Sequence, residues 1–295
     1  MKTASTSTSW SRTATAKVAS SNSSLARWLR RRASRHVSDQ AAIIIGGSPR
    51  SGTTLLRVML DSHPGIACGP ESSLLTGGIL PERLARCFDT TVDHVWTVQR
   101  RARDHAHFID LFMTDYARRR GKQRWAEKTP QNVRHLRWIF AHWPRAKFIH
   151  VVRDGRDAVC SIRTHPRVRM IDGRMIPTNA RRPLESCVRS WLRDTGEGLR
   201  WRGHANYHEV RYEDLVTAPM PTLRKVCAFL GVEFSAVMLQ YYKHKRDAAN
   251  FIANVAATEP LKTTAVGRWR NELRPEELEL FEQLAGPRMN ELGYR

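Results

Sequence analysis

The sequence Gly46-Gly47-Ser48-Pro49-Arg50-Ser51-Gly52-Thr53-Thr54 surrounds one arginine with glycines and hydroxyl donors. An apolar β-branched run, Ile43-Ile44-Ile45, precedes it, and Leu55, Val58 and Met59 follow at helical spacing. Strand, glycine-rich turn and helix is the layout in which backbone N–H groups at a helix N-terminus collect around an anion. Arg50, Ser51, Thr53 and Thr54 add side-chain donors there, and Gly52 supplies the turn. The chemistry to expect is recognition of a phosphate or a similar group.

This is not the common nucleotide cradle. Gly47 and Gly52 keep the Walker glycine spacing, but Thr53 stands where that motif requires lysine. The cation lies upstream, at Arg50. Without the lysine, and with no clear aspartate for magnesium, NTP hydrolysis lacks its usual parts. A P-loop-like nucleotide kinase is therefore the weaker alternative.

A second block, Phe148-Ile149-His150-Val151-Val152-Arg153-Asp154-Gly155-Arg156-Asp157-Ala158-Val159-Cys160-Ser161, reads as a strand running into a helix. Together the two blocks carry a family resemblance. Pro49 to Leu55 resembles the 5′-phosphosulfate loop of the sulfotransferases that use 3′-phosphoadenosine 5′-phosphosulfate (PAPS). Phe148 to Ser161 looks like their 3′-phosphate strand and helix. The resemblance runs from about Ile43 to Tyr294, and its nearest branch is the bacterial enzymes similar to tyrosylprotein sulfotransferases.

That resemblance implies a single α/β domain of P-loop-like fold, with a mostly parallel sheet flanked by helices. It also implies PAPS as sulfuryl donor, a hydroxyl or amine acceptor, and no metal. Residue by residue, Arg50 and Lys128 match positions that contact the 5′-phosphosulfate and the transferring group. Glu71, following Cys68-Gly69, matches the catalytic glutamate of the tyrosylprotein branch. Arg153 and Ser161 match the 3′-phosphate ligands, a strand-end arginine and a helix hydroxyl around one anion. Tyr212 resembles the adenine contact, and Thr263, Thr264 and Arg268 resemble a C-terminal loop that closes on the cofactor. Thr129-Pro130 occupy the region of the histidine used by cytosolic sulfotransferases, which closes that route. Ser72-Ser73-Leu74-Leu75 follow Glu71 where tyrosylprotein enzymes carry basic residues. That departure ranks protein tyrosine below a small-molecule, lipid or glycan acceptor.

The rest of the chain must position these groups. Its 295 residues suffice for one sizeable α/β domain. With 49 Lys and Arg against 28 Asp and Glu, the formal charge of +21 favours anionic partners of any kind. A basic nucleic-acid-binding protein is thus a second alternative. No zinc-finger spacing or RNP-like aromatic motif supports it, and no nucleic-acid partner is expected. Five cysteines without a CxxC pair suit a reduced, cytoplasmic enzyme. No apolar run reaches membrane length, and the sequence leaves room for a homodimer.

Residues 1–40 read as a basic, Ser/Thr/Arg-rich tail, disordered by composition, whose only acid is Asp39. Ser24 to Arg30 is the one stretch in it with helical character, and an organelle transit peptide is the minor alternative. The domain is expected over residues 41–295. Helices are expected near 81–88, 91–120 (broken once), 132–142 (Val133, Leu136 and Phe140 inward), 183–201, 221–230 and 275–292. Strands are expected near 66–69, 124–129, 147–152 and 207–212. Arg100, Arg101, Arg103, Arg118, Arg119 and Arg120 read as solvated helix faces. Residues 163–182 show no usable period and read as a long loop, a candidate substrate gate. Strands alternating with helices predict a parallel sheet with its ligand at the strands' carboxyl ends.

Overall fold

The computed structural model describes residues 34–77, 80–165, 167–171, 174–178, 181–243 and 259–294. In chain order its elements begin with β1 (Ile43–Gly47), α1 (Thr53–Asp61) and β2 (Ile66–Cys68). Three helices follow: α2 (Pro81–Cys87), α3 (Val92–Arg101) and α4 (His105–Arg119). Next come β3 (Arg124–Lys128), a 3₁₀ turn (Pro130–His135), α5 (Leu136–His142), β4 (Lys147–Val152) and α6 (Gly155–Thr164). The paired strands β5 (Arg167–Ile171) and β6 (Arg174–Thr178) lead to α7 (Leu184–Leu199) and β7 (Tyr207–Arg211). The chain closes with α8 (Tyr212–Thr217), α9 (Pro219–Leu230), a 3₁₀ segment (Ala236–Lys243), α10 (Trp269–Glu272) and α11 (Pro275–Glu291).

Alternation along β1 sets the layers. Ile44 enters a core on one face with Phe108, Phe112, Trp125 and Trp143, under α4 and α5. Ile43 and Ile45 enter the opposite core with Leu56, Met59, Leu215 and Val226, under α1, α8 and α9. All three isoleucines are fully buried, each worth about 1.5–3 kcal/mol of transfer free energy. A third cluster, built on Val152, Trp191, Phe281 and Met289, seats α6, α7 and α11. The main sheet runs β2-β3-β1-β4-β7, and every pair is parallel. Ile45 lies beside Lys128, and Gly47 beside Val151. The carboxyl ends of β3, β1 and β4 therefore open at one level, as the α/β reading predicts.

Three differences from the sequence reading have physical causes. Residues 34–40, assigned to the tail, dock on the domain. The amides of Arg35 and His36 donate to Asp104 (2.9 and 3.0 Å), and Ser38 Oγ donates to Asp110 (2.8 Å). Those acids lie about seventy positions away, so local composition could not reveal the contact. The expected helix at Ser24 to Arg30 lies outside the described residues. The patternless stretch after α6 contains an antiparallel pair, with Arg167 opposite Thr178 and Ile171 opposite Arg174. Asp172-Gly173 between them is a strong hairpin signal that a search for periodicity passes over. Finally, the segment expected as one helix from 132 begins as a 3₁₀ turn after Pro130, which rotates its inner face. Ile139 is fully buried there, while Phe140 is half-buried against Trp201 and His204. The six arginines read as solvated are all exposed.

Candidate active site

The phosphate loop is shaped by its backbone. Arg50 has φ of 68° and Gly52 has φ of 95°, both in the left-handed region that side chains resist. A Cβ on Gly52 would stand 2.4 Å from Tyr212 Cδ2, so only glycine fits beneath that ring. Gly52 begins α1, whose N-terminus receives no side-chain cap. Its first-turn N–H groups and the positive end of its dipole thus face the loop.

At these strand ends lies a cavity of about 420 Å³. Its wall includes Arg50, Gly52, Thr53, Thr54, Glu71, Arg153, Ser161, Tyr212, Thr264 and Arg268. The two blocks therefore share one cleft and in fact touch, because Arg50 Nε donates to Ser161 Oγ at 3.1 Å. Arg153 extends from the end of β4, where one terminal nitrogen donates to the Arg50 carbonyl at 2.9 Å. Its other terminal nitrogen donates to the Ala265 carbonyl, and its guanidinium lies 4.4 Å over the Tyr212 ring. Arg268 lines the cavity while held bidentately by Glu272 at 2.7 and 3.0 Å. Thr263, expected beside Thr264, is exposed, and its carbonyl accepts from the Val266 amide at 2.8 Å.

Glu71 also lines this cavity, and Lys128 Nζ lies 2.7 Å from Glu71 Oε2 and 3.4 Å from Thr54 Oγ1. The pairing follows from register. β2 and β3 are parallel neighbours with Cys68 beside Ala126, so Lys128 at the end of β3 lies beside the residues that follow β2. Lys128 is 3% exposed and Glu71 41%, so a buried ammonium presents a carboxylate to solvent. Behind them Glu127 is fully buried and accepts from Ser72 Oγ (2.6 Å), Thr129 Oγ1 (2.7 Å) and Asn132 Nδ2 (2.5 Å). Burial pushes its pKa up while these donors oppose the shift. The network ties the segment after Glu71 to the one after Lys128.

The electrostatics are those of an anion site. Burial, then the neighbouring charges of Arg153 and Arg268, lower the Arg50 pKa. Ser51 Oγ and Arg153 Nε are buried with no hydrogen-bond partner among the described residues. Buried donors without acceptors are costly, and an anion carrying several oxygens would satisfy both. The residues present therefore fit a phosphate-bearing ligand. Among the described residues, no cluster of His, Cys, Asp and Glu could hold a metal, and no helix is long and apolar enough to cross a membrane.

Sequence reasoning passed over His165, which lines the cavity at the end of α6. Burial and then the charges of Arg50 and Arg182 lower its pKa. It follows Ser161 by one helical turn, a spacing that could have found it. Glu213 was also missed: it accepts from the Asp154 amide (3.0 Å) and the Tyr294 hydroxyl (2.8 Å), bracing the end of β4. No short-range pattern announces that link.

Comparisons with known proteins agree with this fold. The family profile described as "Sulfotransferase family" matches residues 42–236. Protein-tyrosine sulfotransferase 1 of Danio rerio is 27% identical over 280 residues, covering 87% of this chain and 73% of that protein. The sulfotransferase domain from the Synechococcus PCC 7002 olefin synthase is 26% identical, with a TM-score of 0.58 over 85% of this chain and 96% of that one. A mouse sulfotransferase complexed with PAP, 16% identical, has the same fold, with a TM-score of 0.51 over 86% of each chain. With its phosphate loop, parallel sheet and shared cationic cleft in place, the chain belongs to the sulfotransferase family, an enzyme of sulfuryl transfer.

Proposed function

We propose that the donor is PAPS, that the acceptor group is a hydroxyl, and that Glu71 is the general base. PAPS, when bound, supplies an activated sulfuryl group and leaves as the bisphosphate PAP. The residues that would hold it are the α1 N-terminus with Ser51, Gly52, Thr53 and Thr54 at the 5′ end, and Arg153 with Ser161 at the 3′ end. Tyr212, Thr264 and Arg268 line the space between. Arg50 and Lys128 place positive charge where the bridging oxygen becomes anionic. Glu71 takes the acceptor proton on a carboxylate oxygen. The observation that carries the reading is the Glu71–Lys128 pair at 2.7 Å, opening onto the same cavity as Arg153 and Ser161. The PAP in the mouse neighbour's complex supports the choice of nucleotide.

The zebrafish relative is named for protein tyrosine, which restores that phenol as a candidate acceptor beside small-molecule, lipid and glycan hydroxyls. The basic residues missing just after Glu71 have a spatial counterpart. Arg83, on α2, donates to the Glu71 carbonyl at 3.0 Å and brings a guanidinium beside the base. Incubation with labelled PAPS and a panel of tyrosine peptides, glycans and lipids should yield a sulfated hydroxyl, read by mass spectrometry. Absence of PAP affinity by calorimetry, together with no transfer to any acceptor, would overturn the proposal.

A further inference from the structure

One wall of the donor cavity has little regular structure. Pro260, Leu261, Lys262, Thr264, Ala265 and Arg268 all belong to the segment between the 3₁₀ segment and α10. The Tyr241 hydroxyl donates to the Glu259 carbonyl at 2.6 Å, and Leu261 and Ala265 pack against the core, while side chains of a single motif hold the end nearest α10. The Asp157 carboxylate, on α6, accepts the Gly267 amide at 2.8 Å and the Trp269 amide at 3.0 Å. Arg153 donates to the Ala265 carbonyl, and Arg156 lies 4.2 Å over the Trp269 ring. Asp157 is 1% exposed and reaches Arg153 at 4.0 Å, so it also faces the guanidinium of the 3′ anion site. Burial raises its pKa, while the two amides and Arg153 oppose that rise. A buried carboxylate that spends both oxygens on loop amides has no part left for chemistry.

We infer that Asp157 is a positioning residue that holds this loop as a wall of the donor site, so that retention of the nucleotide depends on it and the transfer step does not. The inference rests on the proposed reading that the donor nucleotide occupies the Arg153–Ser161 end. Asparagine at 157 keeps the shape but offers one acceptor and one donor, so one loop amide would face an N–H instead of an oxygen. The lost carboxylate charge would also leave the Arg153 charge less compensated. The variant should therefore separate small anions from the nucleotide. Inorganic pyrophosphate needs only the cations, whereas PAP also needs the wall.

The test compares the wild type, Asp157→Asn and Trp269→Ala, the last removing the ring under Arg156 while leaving every residue of α6 unchanged. Limited trypsin digestion, with cleavage after Lys262 and Arg268 mapped by mass spectrometry, reads the loop without ligand. Both variants should be cut about tenfold faster, the cost of one charge-assisted hydrogen bond or a comparable contact. Calorimetry should show PAP bound about tenfold more weakly by Asp157→Asn, with pyrophosphate affinity not reduced. In turnover, donor KM should rise while kcat does not fall. Wild-type cleavage rates in both variants, unchanged PAP affinity, or a fall in kcat at constant KM would each overturn the inference. Should the wild type itself bind no PAP, the donor reading fails, while the ligand-free cleavage rates still decide whether Asp157 holds the loop. Should Asp157→Asn fail to fold, Trp269→Ala carries the same comparison.

Discussion

The phosphate loop and the motif after β4 hold anions by opposite means. The loop works through backbone, with Arg50 and Gly52 in left-handed conformations and an uncapped helix start that offers N–H groups. The second motif works through side chains. Asp154 caps its helix by accepting the Arg156 amide at 2.8 Å, so that helix start is already occupied, and Arg153 and Ser161 supply the donors. Backbone donors depend on conformation, whereas side-chain donors depend on charge and reach. Damage to the loop should therefore appear in stability and binding together, and damage to the second motif mainly in affinity.

The largest separation is expected between Glu71 and Arg153. Glu71→Gln removes a base without touching either anion grip. Turnover should fall by about 10²–10⁴-fold, the usual worth of a positioned base, with PAP affinity retained. A fully active variant would remove Glu71 from that role. Arg153→Ala should do the reverse, weakening PAP by about ten- to a hundredfold in calorimetry as a charged donor is lost from a buried site. Wild-type affinity in that variant would break the contrast, since the second motif would then not grip by charge.

Sequence legibility follows the same division. The loop and its flanking strand and helix are contiguous, so residue types and spacing were enough to locate Arg50 to Thr54. Arg153 and Ser161 entered through the family resemblance, carried by one contiguous strand-and-helix block. Glu71 and Lys128 entered only through family resemblance, and the register of β2 on β3 explains why they meet. Illegible were links across long separations. Asp157 holds amides 110 and 112 positions away, Glu213 braces Asp154 59 positions back, and residues 34–40 dock on α4. Such contacts depend on how layers stack, which no local period encodes.

A smaller effect tests the backbone side of the contrast. Gly52→Ala forces a side chain into left-handed φ and against Tyr212, at a cost of about 1–3 kcal/mol for such a conformation. Thermal stability and PAP affinity should fall together. In a Tyr212→Ala background the steric part disappears and the φ part remains, so the two substitutions should be non-additive. Additivity would show that the Tyr212 ring does not constrain the loop, leaving conformation alone to explain the glycine.

A further effect concerns the strand that carries the side-chain grip. His150, on β4, is fully buried, and a Cβ on Gly198 would stand 2.3 Å from its ring, so α7 leaves it no room to move. Its Nδ1 lies 2.6 Å from the Tyr207 hydroxyl, whose own proton goes to Glu209 at 3.1 Å. Nδ1 is therefore the donor, and Nε2 carries no hydrogen and has no partner among the described residues. Burial lowers the His150 pKa to about 4. The unfolded chain binds this proton near 6.5 and the folded one only near 4, so the group's contribution is complete above pH 6.5 and is lost as pH falls toward 4. The full shift corresponds to about 3 kcal/mol. His150→Asn should lower stability at pH 7 through lost packing yet flatten the decline between pH 6.5 and 4, measured by denaturant unfolding at each pH. An equal decline in both proteins would mean that β4 is not held by a neutral imidazole. Acid sensitivity near β4 would then have to come from a carboxylate held below its usual range, and Glu209, bonded to Arg202 at 2.7 Å, is the first to examine.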